Sequence, residues 1–254
     1  MCYSAVSITR QLVKYAKHRS DDKAKVEELQ KQLELIVTSQ HKFYFADAYA
    51  HPRLLVFTNK EPYKPQLFYW GLIPNWIKTK PDALKIANQT LNARSETIFE
   101  KPAFKQSAKN KRCVIYLDAF YEYHHHNGNT FPFHISHIHD ETLAIAGIWE
   151  EWADPDTGEL IPTVSIVTTK ANSLLKKIHN NPKQTEARMP VILSREDQNK
   201  WLEEKDEKDL LPLLKPYETD LLKAHTVRKL KGKGASGNTP EAEKEFTYLE
   251  LTEF

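Results

Sequence analysis

The chain contains two cysteines, Cys2 and Cys113, and only the first stands where one residue can offer two nucleophiles. The sequence opens Met1-Cys2-Tyr3-Ser4. Methionine aminopeptidases favour a small second residue, so loss of Met1 would expose an N-terminal cysteine with an amine and a thiol on adjacent carbons. An α-amino group titrates near ~8, which leaves a nucleophilic fraction at neutral pH. That amine condenses with an aldehyde to an imine, and the tethered thiol then closes a five-membered thiazolidine. Making the second step intramolecular is worth about 7–11 kcal/mol in favourable cases. Every cytosolic protein that begins Met-Cys has the same aminothiol, so other positions must carry the argument. Cys113 lies in the apolar run CVIY and reads as a buried small hydrophobe. Two cysteines are too few for a disulfide scaffold and fit a reducing compartment. No zinc-type Cys/His spacing occurs, and His124-His125-His126 precedes the turn signal Asn127-Gly128.

Four further segments hold residues able to do chemistry: WGLIPNW (70–76), LNARSET (91–97), DAFYEY (118–123), and an Ile-His pair followed after eight residues by RMPVIL (178–193). The Asn92 amide can orient a reacting group through hydrogen bonds. The guanidinium groups of Arg94 and Arg188 suit a phosphate. Glu122 is a proton acceptor, though alternation from Phe120 is compatible with either face of a strand. Asp118 is the rival acid and reads as structural. His179 carries the side chain that exchanges protons near neutrality. Trp76 can stack on a base, whereas Trp70 reads as a core residue. Glu96 reads as a brace for its loop or a partner for a basic neighbour.

Taken in order with the Met-Cys start, these segments resemble the SRAP family, the SOS response-associated peptidases or abasic-site processing proteins. GIWEEW (147–152) and SIVTTKAN (165–172) add to the likeness, which spans roughly residues 1–230. The resemblance implies that Cys2, Asn92, Glu122 and His179 form the catalytic set. It implies that Arg94, Arg188 and Trp76 contact DNA, and that neither a metal nor an organic cofactor takes part. The chain departs from the commoner family pattern in several places. Residues 180–187 (NNPKQTEA) separate His179 from Arg188, where many relatives have one or two. Ile77 stands where a second aromatic often follows Trp76. Cys2-Tyr3-Ser4 replaces Cys-Gly-Arg. Around His225, Thr226 and Arg228 replace two members of a His-Pro-Val-Ser segment.

The elements that must position these residues follow from local pattern. Residues 21–38 predict an amphipathic helix with Ser20 as N-cap and Val26, Leu29, Leu33 and Ile36 on one face. Strands are expected at 53–58 and 67–72, joined by NKEPYKPQ, and in one long run over 112–123. Asn127-Gly128 offers a type I′ turn into TFPFHI. Further strands are expected at 142–149 and 161–168, and a helix over 171–178. Ser194 and Asp197 resemble a capping box opening another helix. Short strands, tight turns and inserted helices predict an α+β fold with a mainly antiparallel, curled, barrel-like sheet. One domain over 1–254 is expected, with 232–246 as a mobile loop.

Lys and Arg number 36 against 34 Asp and Glu, a balance of +2 that neither demands nor excludes nucleic acid. No run of about 18 apolar residues suggests a membrane span, and the N-terminus is too polar for a signal peptide. The expectation is a cytoplasmic monomer. Its expected activity is to cross-link covalently to abasic sites in single-stranded DNA through Cys2. Weak lyase activity and self-removal of residues before Cys2 would accompany it. Two rivals stay open: a cysteine peptidase using Cys2, His179 and Glu122, and a non-catalytic module for single strands.

Overall fold

The computed structural model describes residues 3–7, 12–37 and 42–251. Five strands close into a ring: β3 (Arg53–Thr58), β4 (Gln66–Trp70), β6 (Arg112–Leu117), β9 (Leu143–Ala153) and β10 (Leu160–Lys170). Around it β4 pairs with β3, β3 with β6, β6 with β9, and β9 with β10, all antiparallel; a short parallel pairing of β10 with β4 completes the circle. Beyond the ring, the end of β10 also takes β5 (Asn92–Arg94) in parallel and β11 (Arg188–Pro190) antiparallel. The second sheet is antiparallel, in the order β12 (Leu222–Thr226), β8 (Asn129–His137), β7 (Ala119–His126), β1 (Ser4–Ser7) and β2 (Phe43–Asp47). The expected α+β fold with a curled sheet is what forms.

The run expected as one strand over 112–123 is two, because the backbone leaves the barrel at Asp118 and enters the other sheet. There the Asp118 amide donates to Val6 O, and the Tyr15 hydroxyl donates to its carboxylate. The apolar residues alternate with period two, so this switch sends them into one shared cluster. Phe120, Phe131, Phe133 and Ile135 of the second sheet bury with Leu54, Val56, Ile115 and Ile145 of the barrel. On the other side of the same strands, Leu55, Phe57, Val114 and Tyr116 pack under three helices, α1 (Leu12–Arg19), α2 (Lys23–Ile36) and α6 (Arg195–Glu203). From these helices come Tyr15, Leu29, Leu33 and Trp201, each at most 2 % exposed. Burying such side chains contributes about 1.5–3 kcal/mol each.

Two caps differ in outcome. The expected N-cap of α2, Ser20, lies two residues too early; Asp22 takes the role, accepting from the Lys25 amide at 3.1 Å, while Ser20 Oγ accepts from the Asp22 amide. The cap of α6 is Ser194 as read, accepting from the Asp197 amide at 3.1 Å. Asn127 and Gly128 have φ of 48° and 77°, the two left-handed residues a type I′ hairpin needs between β7 and β8. In the segment 232–246, Asn238 accepts from the Tyr44 and Phe45 amides, Ala242 is buried, and Ala242 O accepts from the Tyr121 hydroxyl. Among the described residues, no helix is long and apolar enough to cross a membrane.

Candidate active site

The short strand β5 sits where it does because its neighbours fix it from both sides. The Trp70 indole, fully buried, donates to Leu91 O at 2.8 Å, and the Ile166 amide donates to the same oxygen. Parallel pairing then sets Asn92 beside Ile166 and Arg94 beside Thr168. Ala93 points into the core, so alternation puts Asn92 and Arg94 on the opposite face, the first half-buried and the second exposed.

Immediately after β5, Glu96 receives both arms of the Arg188 guanidinium at 3.0 and 2.8 Å. Arg188 is 1 % exposed. It also donates to Thr168 O at 2.8 Å and Thr168 Oγ1 at 3.3 Å, with Glu186 at 3.2 Å. The guanidinium read as a phosphate ligand therefore lies inside the protein and ties β5, β10 and β11 together. Burial pushes the Glu96 carboxyl up, but the hydrogen bond and charge of Arg188, with backbone donors, override it and hold the carboxyl below its ordinary value.

Glu122 lies on β7, two residues beyond Phe120 and on the same inward face, and is 4 % exposed. The structure thus decides what alternation left open. His179 approaches from the opposite direction as the C-cap of α5 (Ser173–Ile178), its amide donating to Leu175 O at 2.8 Å. Asn172 fixes the start of this helix, accepting from the Leu175 amide and donating to Tyr217 O, both at 2.9 Å. The result is a buried pair, His179 Nδ1 to Glu122 Oε2 at 3.2 Å, with side chains 3 and 5 % exposed. Gln184 Oε1 lies 2.7 Å from the other ring nitrogen, Nε2.

Cys2 lies outside the described residues. Its neighbour Tyr3 accepts from the Ala48 amide at 2.9 Å and stacks on Tyr49, ring centroids 5.5 Å apart. Burial, the Tyr49 ring partner and the charge of Glu122 push the Tyr3 hydroxyl up to about 12, with Arg94 pulling the other way. Residue 3 is therefore within the fields of both Glu122 and Arg94. Trp76 stands at the surface, 52 % exposed, on the loop leaving β4. That loop is pinned by the Gly71 amide to Val164 O, by the Ile73 amide to Thr163 Oγ1, and by the Trp152 indole to Ile77 O. Gly71 is required here: its φ is +119°, and a Cβ would meet His51 Nδ1 at 2.8 Å and Ala87 O at 2.9 Å.

The site brings Glu122 and His179 into contact, with Tyr3 and Arg94 close by, and links Arg188 to the Asn92 strand through Glu96. A water-poor carboxylate–imidazole pair can pass one proton between nitrogen and oxygen without solvent. Gln184 and Tyr49 escaped sequence reading; neither lies in a matched motif. Among the described residues no cluster of three or more His, Cys, Asp or Glu is arranged for a metal ion. Cys113 is fully buried, and burial pushes its thiol well up, so it is no nucleophile at neutral pH.

The family model of the SOS response associated peptidases (SRAP) matches residues 1–233. Abasic site processing protein YoqW of Bacillus subtilis (strain 168) is 39 % identical over 175 residues, 68 % of this chain and 72 % of that protein. Abasic site processing protein HMCES of Xenopus tropicalis is 33 % identical over 193 residues, 68 % of this chain and 54 % of that one. A crystal structure of a protein from Bacteroides thetaiotaomicron superposes with a TM-score of 0.80 at 34 % identity, covering 97 % of this chain and all of the other.

Proposed function

The chain belongs to the SOS response-associated peptidase (SRAP) family, and on that premise we propose that it captures abasic sites in single-stranded DNA through a covalent bond to Cys2. The observation that carries this reading is the buried Glu122–His179 pair beside the chain's first strand. Residue 2 is one peptide from Tyr3, whose hydroxyl lies in the field of Glu122.

The chemistry balances without any outside reagent. His179 delivers a proton to the sugar ring oxygen while the Glu122 carboxylate takes the hydroxyl proton from C1′, and the ring opens to the aldehyde. The neutral Cys2 amine adds to C1′, and one water leaves as the imine forms. The Cys2 sulfur then adds to the imine carbon while its proton passes to nitrogen, giving the thiazolidine. Asn92 orients the reacting groups through its amide. Arg94, exposed on the same face of β5, binds a backbone phosphate. Trp76 stacks on a base next to the gap. Arg188 serves the site from within by bracing the strand that carries Asn92 and Arg94. The imine stage also permits β-elimination, so slow strand cleavage accompanies capture. The protein acts as a cytoplasmic monomer.

The test is incubation with a single-stranded oligonucleotide bearing one abasic site, followed by denaturing electrophoresis. Wild type gives a shifted band, Cys2→Ala gives none, and Glu122→Gln forms it more slowly. Acetylation of the α-amino group abolishes the band; a peptidase working through the thiol alone would keep its activity after that treatment. Band formation by Cys2→Ala at the wild-type rate refutes the reading, and an equal shift with duplex DNA removes the single-strand preference.

A further inference from the structure

Residues 180–187, the stretch by which this chain departs from the commoner spacing between its histidine and RMP motifs, return to the site. Asn180 clamps the start of the segment to β7, accepting from the His125 amide at 2.6 Å and donating to His125 O at 2.8 Å. Glu186 anchors its end, at 3.2 Å from both Lys170 and Arg188. Between these anchors the Gln184 amide donates to Asn181 O at 3.0 Å, and the Gln184 side chain comes back to His179 Nε2 at 2.7 Å. Since Glu122 holds Nδ1 at 3.2 Å, both nitrogens of a ring only 4 % exposed face oxygen acceptors.

From this geometry we infer that Gln184 is a positioning residue: it fixes a proton on His179 Nε2 and so confines proton transfer to the Nδ1–Glu122 edge. A neutral imidazole carries one N–H. With Gln184 Oε1 accepting from Nε2, Nδ1 is the ring nitrogen left to exchange a proton, and it faces Glu122 Oε2. Among the described residues, the titratable and charged groups near this ring include Glu122 at Nδ1 and His125 on β7, with His124 and Lys183 next to His125 and with Tyr3 and Arg94 beyond Glu122. The inference deepens the proposed function and rests on it for its kinetic consequence, but not for its structural one.

Two readouts separate the two. The first is 15N-edited NMR of imidazole nitrogens, with His179→Asn identifying the resonance. Wild type shows a bound proton on His179 Nε2, and Gln184→Ala loses that signal to exchange with water. The second is the pH profile of cross-linking to the abasic oligonucleotide. A step that needs the proton-carrying form is lost as pH rises. Removing an acceptor weakens the hold on the proton, so Gln184→Ala moves that loss down by about half a unit to one unit, while the carboxylate of Gln184→Glu moves it up. An unprotonated Nε2 in wild type overturns the inference, as does an unchanged signal and profile in Gln184→Ala. Absence of any cross-link by wild type overturns the proposed function and leaves the NMR result to decide the role of Gln184.

Discussion

Replacing Glu96 by Gln should destabilise the protein by about 2 kcal/mol at pH 7 and weaken the brace behind Asn92 and Arg94. The magnitude follows from what Arg188 keeps. Stripping a buried guanidinium of its partner costs about 3–5 kcal/mol when nothing remains. Here the Glu96 side chain is 40 % exposed, so solvent already screens the pair, and Glu186 stays at 3.2 Å from Nη1, one of the two nitrogens that Glu96 holds. The two bonds from Arg188 to Thr168 also survive. Glutamine retains one acceptor oxygen but sets its NH2 against a guanidinium nitrogen, so one charge-assisted bond is lost, worth about 1.5–3 kcal/mol. For a chain of this length ~2 kcal/mol lowers Tm by about 4–8 °C. The assay is urea unfolding followed by tryptophan fluorescence at pH 7 and again near pH 3. The Glu96 carboxyl is held below its ordinary 4.5 in the folded state. Its contribution is therefore full above that ordinary value and vanishes as pH falls through the folded one. The gap between wild type and Glu96→Gln must narrow in acid. A loss under ~0.5 kcal/mol at pH 7, or a gap indifferent to pH, refutes the bracing role.

Other consequences are simpler to check. Arg94→Ala, at an exposed position, should leave stability within ~0.5 kcal/mol and reduce the slope of log binding against log salt by about 0.7; Arg188→Lys should do the reverse, lowering the unfolding midpoint with the salt slope unchanged. Gly147→Ala sets a Cβ 2.8 Å from both Cys113 Sγ and Ile115 Cδ1, and thermal unfolding should register an overpacking cost of about 1–3 kcal/mol. Burial, aided by the charge of Arg195, lowers His18 from 6.5 to about 4. The unfolded chain then binds the extra proton first, so this group removes up to ~3 kcal/mol of stability as pH falls from 6.5 towards 4. His18→Asn should flatten that part of the urea-midpoint profile.

The pattern of the fold was legible wherever local signals agreed. Alternating strands, the Asn127-Gly128 turn and the Ser194 cap each require only nearby residues to be read. The break at Asp118 was not legible, because RCVIYLDAFYEY is apolar and extended on both sides of it. What ends the barrel strand is distant, the Val6 carbonyl and the Tyr15 hydroxyl. The helix cap fell on Asp22 rather than Ser20 since both residue types suit the position, and helix α1 before it was not foreseen. At the site, motif spacing pointed to Glu122 and His179 but not to their faces. Strand periodicity cannot say which side of a sheet is covered until α5 is seen to pack on it. Arg188 illustrates the same limit in reverse: guanidinium chemistry suits phosphate and carboxylate alike, and only the position of Glu96 and Glu186 shows which it holds here. Gln184 lay in the stretch that matched no motif.

On the proposed reading, residue 2 makes the bond to DNA with the aid of the Glu122–His179 pair. Peptide mapping of the cross-linked product by mass spectrometry tests it most directly. The expected product is a modified N-terminal peptide that begins at Cys2, lacks Met1, and carries the abasic deoxyribose less one water, accumulating more slowly in Glu122→Gln. A sugar attached to a lysine, or to a chain that still begins with Met1, would contradict it.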